Sequence, residues 1–206
     1  MNIVVISAGA GSPSSTRKLA DRMAGVVAEQ LPGASVVTID VRELAGDLVT
    51  AMTSGLRSEP VRQALDQVSH ADGVIAVTPV FNAAYSGLFK LFFDVLDEGS
   101  LRGVPVLLGA TGGTARHSLA IDQSMVPLFY YLRAVPLPSP VFAATDDWAD
   151  PHSLDSRVRE AVGLFVAALS GGAQAPARPR TTQDDDFDPG GDFEEMLKKV
   201  HETGTW

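Results

Sequence analysis

Ile3-Val-Val-Ile-Ser-Ala-Gly-Ala-Gly-Ser-Pro-Ser-Ser-Thr-Arg-Lys-Leu19 passes from an apolar, β-branched run through a turn rich in glycine and serine into a helix-forming stretch. The first four residues are continuously apolar, which is typical of a strand buried on both faces of a parallel sheet. Apolar residues then recur at helical spacing as far as Gln30. The segment predicts the first strand–loop–helix unit of an α/β domain.

The same alternation recurs along the next 150 residues or so, by the strand and helix signals used for the first unit. Strands are predicted at residues 3–6, 36–39, 74–77, 104–108 and 141–143. Helices are predicted at residues 15–30, 61–70, 86–96, 118–132 and 154–169. This order predicts a doubly wound α/β fold, a five-stranded parallel sheet in the order 2-1-3-4-5 with helices on both faces.

The C-terminal part of the chain differs in composition from this domain, which we expect to span residues 1–172. Residues 173–191 are rich in Ala, Pro, Gly and Asp and predict a flexible linker. Residues 192–206 predict a short helix and tail, with Asp192 as a candidate N-cap. That helix is either a frayed end of the chain or a docking element for another subunit.

Composition excludes several classes of function. The 206 residues carry a formal net charge of −9 and show no basic stripe, which argues against binding to nucleic acid or to an anionic membrane. No apolar run is long enough for a membrane span and no signal peptide is evident, so the expected location is cytoplasmic. The absence of cysteine excludes thiol chemistry, so any redox function requires a bound cofactor.

The turn after the first strand predicts an anion site. Gly9 and Gly11 permit tight turns, and hydroxyl groups follow at the free N–H groups of the helix start. The turn lacks the Gly-Lys-Ser/Thr of a Walker loop, and Ser14 replaces the third glycine of a dinucleotide fingerprint. Asp40 after the second strand leaves an NAD-binding module as one alternative. Simple helix capping by the serines is another.

Three loops are expected to form one pocket. In a sheet of this order, ligands bind at the carboxyl ends of the strands where the winding reverses, between strands one and three. Residues 7–16, 78–86 and 111–117 would meet there. Phe81 and Tyr85 in the second loop suit a flat aromatic ligand, for which flavin is the natural candidate, although either ring could instead belong to the core or the surface. The third loop, Ala110-Thr-Gly-Gly-Thr-Ala115, offers backbone N–H groups.

Taken together, the three loops resemble those of the NADPH-dependent FMN reductases of the flavodoxin-like superfamily, especially the reductases that supply reduced flavin to two-component monooxygenases. The resembling segments are residues 7–16, 78–90 and 110–122, within a similarity that covers about residues 1–172. The chain differs from the sulfonate-linked relatives at Gln123, where they carry an aromatic residue, and in its residues 173–206. The resemblance of the three loops implies a flavodoxin-like fold.

The resemblance also implies which residues bind the cofactor. It implies that the FMN phosphate is held by Ser7, Ser14, Ser15 and Thr16, and that the isoalloxazine is bordered by Pro79, Val80, Phe81 and Asn82. The other edge of the ring would be flanked by Thr111, Gly112, Gly113 and Thr114, and Ser86 belongs to the same cofactor-binding set. NADPH or NADH would be the hydride donor.

Hydride transfer to flavin needs no side-chain nucleophile, so no catalytic acid or base is assigned. Arg116 and His117 lie where they could attract NADPH phosphates or could simply be exposed residues of a helix start. The four histidines lack ligand spacing, and no metal site is predicted. A flavodoxin-type electron carrier with tightly held FMN is the alternative from another class, and a quinone or azo-dye reductase is the alternative among enzymes.

The two helices predicted at residues 86–96 and 118–132 are apolar in nearly every direction. A helix that is apolar all round usually has a second partner besides its sheet. A homodimer or homotetramer formed through these helices is therefore expected, and a locally thick core is the alternative.

Overall fold

The computed structural model describes residues 1–171, so the predicted linker 173–191 and terminal helix 192–206 lie outside the described residues. The strands are β1 (Asn2–Ser7), β2 (Ser35–Asp40), β3 (Gly73–Phe81), β4 (Ala84–Tyr85), β5 (Pro105–Gly112), β6 (Val135–Pro136) and β7 (Val141–Ala144). The helices are α1 (Ser15–Gln30), α2 (Ala45–Ser54), α3 (Glu59–Ser69), α4 (Gly87–Asp94), α5 (Val126–Tyr131) and α6 (Pro151–Gly171). Short 3₁₀ turns span Val41–Leu44, Ala115–His117 and Asp146–Trp148, and a π-helical turn spans Ile121–Met125.

The main strands form a parallel sheet in the order β2-β1-β3-β5-β7. These are the five strands predicted from the sequence, and the predicted order 2-1-3-4-5 is confirmed. The outer edge of β5 is shared by two pieces, because β6 pairs with its first residues and β7 with its last. Pro138 and Pro140 lie between these pieces, and proline cannot donate to a strand ladder.

Each face of the sheet is covered by helices, as the doubly wound fold requires. Alternate residues of β1 belong to different cores: Ile3 and Val5 pack with α1 and α6, whereas Val4 and Ile6 pack under α2 to α5. The second core is rich in aromatic rings, with Phe93 lying 4.8 Å from Phe89 and 5.0 Å from Phe129 between ring centroids. Among the described helices, none is long and apolar enough to cross a membrane.

The structure adds elements that the sequence pattern did not predict. Helix α2 buries only Leu48 and Ala51 and leaves Val49 and Met52 exposed, so its apolar residues give no one-sided periodicity. The helix predicted at residues 118–132 is divided into the π-helical turn and α5. Pro127 stands in the first turn of α5, a position where proline is tolerated because the N–H it lacks would have no helical partner.

The apolar helices are largely accommodated within the chain itself. The ring of Phe92 and those of the aromatic cluster are buried, as are Val95 and Met125. The alternative of a locally thick core therefore accounts for much of their apolar surface. Tyr130 and Tyr131 remain 65% and 85% exposed on the second helix.

Candidate functional site

The carboxyl ends of β1, β3 and β5 bring the three predicted loops side by side. Ser7 is in register with Val77, and Pro79 is in register with Thr111. Hydrogen bonds extend this alignment into the loops: Ala8 N–H donates to Val77 O over 2.9 Å, and Ser86 Oγ donates to Ala8 O over 3.4 Å. The expected meeting of the loops at the switch point between β1 and β3 is thus observed.

The first loop ends in a capped helix start. Ser14 is the N-cap of α1, and its Oγ accepts a hydrogen bond from the Arg17 N–H at 3.1 Å. Ser15 follows as the first helical residue and is exposed. The first N–H groups of a helix have no carbonyl one turn earlier, so this end offers donors and the positive end of the helix dipole to an anion.

Gly9 allows the loop to close on this helix start. A Cβ atom at Gly9 would lie 2.1 Å from Ser14 Oγ and 3.1 Å from Thr16 Cβ. No real side chain tolerates the first distance, so only glycine lets the backbone approach the cap. The turn at Gly9 and the cap at Ser14 therefore form one unit at the start of α1, here called the cradle.

Two arginines connect the end of β2 with α1 and with the first loop. Arg17 Nε bonds Asp21 at 2.7 Å, and Arg42 donates to Gly11 O at 3.4 Å. The hydrogen bond with Asp21 is the main cause that raises the pKa of Arg17. Asp40 accepts from Arg17 at 3.3 Å and from the Arg42 N–H at 3.2 Å. Its carboxylate is thus already engaged, which weakens the NAD-binding alternative that depended on it.

Ser7 and Thr16, expected to hold the phosphate, lie below the loop surface. Ser7 is fully buried, and its Oγ has no hydrogen-bond partner in the described part of the chain. Thr16 is 2% exposed, and its hydroxyl lies 2.8 Å from that of Thr111. A buried hydroxyl without a partner loses its hydration, so the Ser7 hydroxyl is an unmet donor at the base of the cradle.

The second loop is a tight hairpin between β3 and β4. Its two turn residues, Asn82 and Ala83, have φ angles of 49° and 66°, the signs that a type I′ turn requires. Phe81 next to them is 51% exposed, whereas Tyr85 is half-buried with its ring 5.6 Å from that of Phe89. Of the two aromatic residues expected at the flavin, only Phe81 is exposed.

The remaining predicted residues of this loop support it from inside. Pro79 is buried and Val80 half-buried along β3. Ser86 is buried as the N-cap of α4, where its Oγ accepts from the Phe89 N–H at 3.2 Å. Thr78 was not among the predicted site residues, yet its Oγ1 accepts from the Ser86 N–H at 3.0 Å. The signal in the sequence that could have identified Thr78 is a polar residue in the otherwise apolar strand β3.

The third loop presents a bare backbone. Gly113 and Thr114 are exposed and Gly112 is half-buried, while Thr111 is 4% exposed. A Cβ at Gly112 would come within 2.9 Å of the Phe142 ring, which explains the glycine there. Arg116 and His117 are also exposed beside this loop, and Arg116 Nε donates to Thr114 Oγ1 at 3.3 Å.

These features suit a ligand that carries both a phosphate and a flat ring. The helix start, the glycine approach and the unpaired Ser7 hydroxyl fit a phosphate group. The exposed Phe81 and the peptide groups of the second and third loops fit the ring. Within residues 1–171, no group of three or more His, Cys, Asp or Glu side chains is arranged to hold a metal ion.

Comparison with known proteins shows the family of this chain. Residues 1–149 match the family described as NADPH-dependent FMN reductase. The chain belongs to this family. The NADH-dependent FMN reductase SfnE of Pseudomonas putida is 37% identical over 175 residues, which cover 81% of this chain and 94% of the relative. The FMN reductase (NADPH) of Pseudomonas aeruginosa is 33% identical over 173 residues, with coverages of 82% and 92%.

Solved structures agree with this FMN reductase assignment. An oxidoreductase from Corynebacterium diphtheriae superposes with a TM-score of 0.77 at 40% identity, covering 84% of this chain and 98% of its own. The apo form of the NADH:FMN oxidoreductase EMOB gives a TM-score of 0.75 at 26% identity, with coverages of 87% and 96%. A WrbA-like flavodoxin from Agrobacterium tumefaciens, at 18% identity and a TM-score of 0.58, supports the flavodoxin-like fold alone.

Proposed function

We propose that this FMN reductase family member transfers a hydride from NAD(P)H to FMN. The observation that carries the proposal is the meeting of the three loops at the switch point. There the capped start of α1 offers hydrogen-bond donors suited to an anion, and the hairpin offers the exposed Phe81 to a ring. The family assignment and the names of the relatives support the same activity.

The residues of the chain have three tasks in this reaction. The start of α1 with Ser14 and Ser15 holds the phosphate by N–H and hydroxyl donors. The rigid hairpin positions the ring, because its turn is fixed by the β3–β4 pairing. Gly113 leaves open space for a nicotinamide beside the ring, because no atom would lie within 4 Å of a Cβ at this exposed position. Bound FMN supplies the redox chemistry, so orientation is the protein's main contribution.

The limited aromatic surface at the site favours flavin exchange over permanent retention. Only Phe81 among the aromatic residues of the three loops is largely exposed, since Tyr85 packs on Phe89. A carrier that retains FMN gains affinity from large stacked rings. We therefore propose that reduced FMN leaves the protein and supplies a flavin-dependent monooxygenase, the partner class that the resembling reductases serve.

The assay that tests this function follows NADPH and NADH absorbance with purified protein, with and without added FMN. Oxidation of NADPH or NADH that requires added FMN, at a rate that saturates with the FMN concentration, supports the reductase function. The carrier alternative predicts no turnover and one FMN retained through dialysis. The same assay with quinone and azo-dye acceptors tests the alternative of a quinone or azo-dye reductase, which predicts faster oxidation with those acceptors than with FMN.

We further propose that the protein is a homodimer or homotetramer through the segment that contains α5. Tyr130 and Tyr131 support this, because two adjacent, largely exposed tyrosines provide apolar area that a second copy would cover. A cytoplasmic location remains a prediction from the sequence.

A further inference from the structure

The buried hydroxyl pair of Thr16 and Thr111 connects two loops that have different tasks. Their oxygens lie 2.8 Å apart across 95 positions of sequence. Thr16 stands in the first turn of α1, at the proposed phosphate site, whereas Thr111 stands at the end of β5, where the third loop begins. Within residues 1–171, the Thr111 hydroxyl has Thr16 as its hydrogen-bond partner and no other.

The pair has one hydrogen to spare. Each hydroxyl carries one hydrogen, and the contact between the two oxygens uses only one of them. If Thr111 donates to Thr16, the hydrogen of the Thr16 hydroxyl is free to bond another acceptor. If Thr16 donates to Thr111, the hydrogen of Thr16 is already used. A phosphate accepts hydrogen bonds and donates none near neutral pH, so an anion at α1 favours the order Thr111 to Thr16 to phosphate.

The packing around Thr16 makes this order consequential. The Cβ of Thr16 would lie 3.1 Å from a Cβ at Gly9, so the threonine sits directly against the glycine turn of the cradle. With Thr16 only 2% exposed, water has little access to replace a lost partner. The bond to Thr111 therefore favours one orientation of the Thr16 hydroxyl.

We propose that Thr111 is a positioning residue that acts through Thr16 and sets the preference of the site for phosphorylated flavin over riboflavin. The inference deepens the proposed function and rests on the assignment of the α1 start to the FMN phosphate. The resemblance implied a place for Thr111 beside the ring, but its side chain is buried and its hydroxyl is bonded to Thr16 instead. Riboflavin has the same ring and ribityl chain but no phosphate, so its binding does not depend on the direction of the hydroxyl pair.

The test compares dissociation constants of FMN and riboflavin, measured by flavin fluorescence, for the wild type and Thr111→Val. Valine keeps the shape and removes the hydroxyl. We expect FMN binding to weaken about 3- to 10-fold, because the Thr16 hydroxyl loses the partner that turns its own hydrogen towards the phosphate, with riboflavin changed less than about twofold. Thr111→Ser retains a hydroxyl and should retain most of the preference. Thr111→Ala provides the same comparison if the valine variant does not fold.

A double-mutant cycle with Thr16→Val separates action through Thr16 from a general effect on the pocket. Once Thr16 has lost its hydroxyl, removal of the Thr111 hydroxyl should cost FMN binding little more. Equal losses for FMN and riboflavin, equal binding of both by the wild type, or fully additive effects would each overturn the proposal. Because binding is measured without nicotinamide, a protein that binds FMN but does not oxidise NAD(P)H refutes the reductase function alone.

Discussion

Gly9 and Ser14 approach each other so closely that a Cβ at Gly9 would lie 2.1 Å from Ser14 Oγ. The contact joins the loop after β1 to the N-cap of α1. A side chain at Gly9 would therefore displace the Ser14 hydroxyl.

Gly9→Ala should weaken FMN binding by roughly 10-fold or more, because the methyl group forces Ser14 off its cap and overpacking typically costs about 1–3 kcal/mol. Gly11→Ala is the matched control, since a Cβ there meets only Pro13 O at an ordinary 3.4 Å. Fluorescence titration with FMN measures both variants. Equal affinities for the two variants would show that the Gly9 approach does not shape the site.

Ser15→Ala should weaken FMN binding by about 0.5–1.5 kcal/mol, the net value of a neutral hydrogen bond, and more if the phosphate is left underpaired. The structure makes this a clean test, because Ser14 and not Ser15 caps α1. Helix stability should therefore not change. Riboflavin affinity serves as the control, and unchanged FMN affinity would exclude Ser15 as a phosphate ligand.

Ser86→Ala should lower the free energy of unfolding by about 0.5–2 kcal/mol, because α4 loses its N-cap. It should also raise the KM for FMN, since the link from Ser86 to Ala8 O holds the first two loops together. Ser58→Ala removes the N-cap of α3 and its bond to Asp47, outside the three loops. Urea denaturation should show a loss for both variants, and only Ser86→Ala should alter the KM.

Ala83→Gly should stabilise the protein by about 0.5–1 kcal/mol, because Ala83 occupies the left-handed region with φ 66° and glycine does so without a steric cost. Ala84→Gly, one residue later in β4, should instead destabilise it. Urea midpoints distinguish the two variants. A destabilised Ala83→Gly protein would mean that the methyl group makes contacts worth more than the backbone strain.

Tyr131→Glu should shift the protein towards monomer if the exposed surface of α5 joins two copies, because a buried unpaired carboxylate is costly. Val49→Glu, on the exposed side of α2, is the control and should leave the assembly unchanged. Light scattering at micromolar concentration measures the mass of each. A wild-type monomer under these conditions would reject the oligomer.

The sequence by itself determined the architecture. The apolar runs at β1, β3 and β5 and the helix spacing after Ser15 specify buried parallel strands with crossover helices, and the known winding rules then place the loops at one edge. The family was also recognisable, because its loops are short local motifs. Such features depend on neighbouring residues in the chain, which is why they can be read without coordinates.

Only the tertiary structure decided how each predicted site residue is used. Ser14 and Ser15 look alike in sequence, yet one caps α1 and the other is exposed. Thr16 and Thr111 were expected at different parts of the ligand, but the sheet places them 2.8 Å apart below the loop surface. Burial and partner choice depend on contacts between residues distant in the chain, and such contacts leave no local pattern in the sequence.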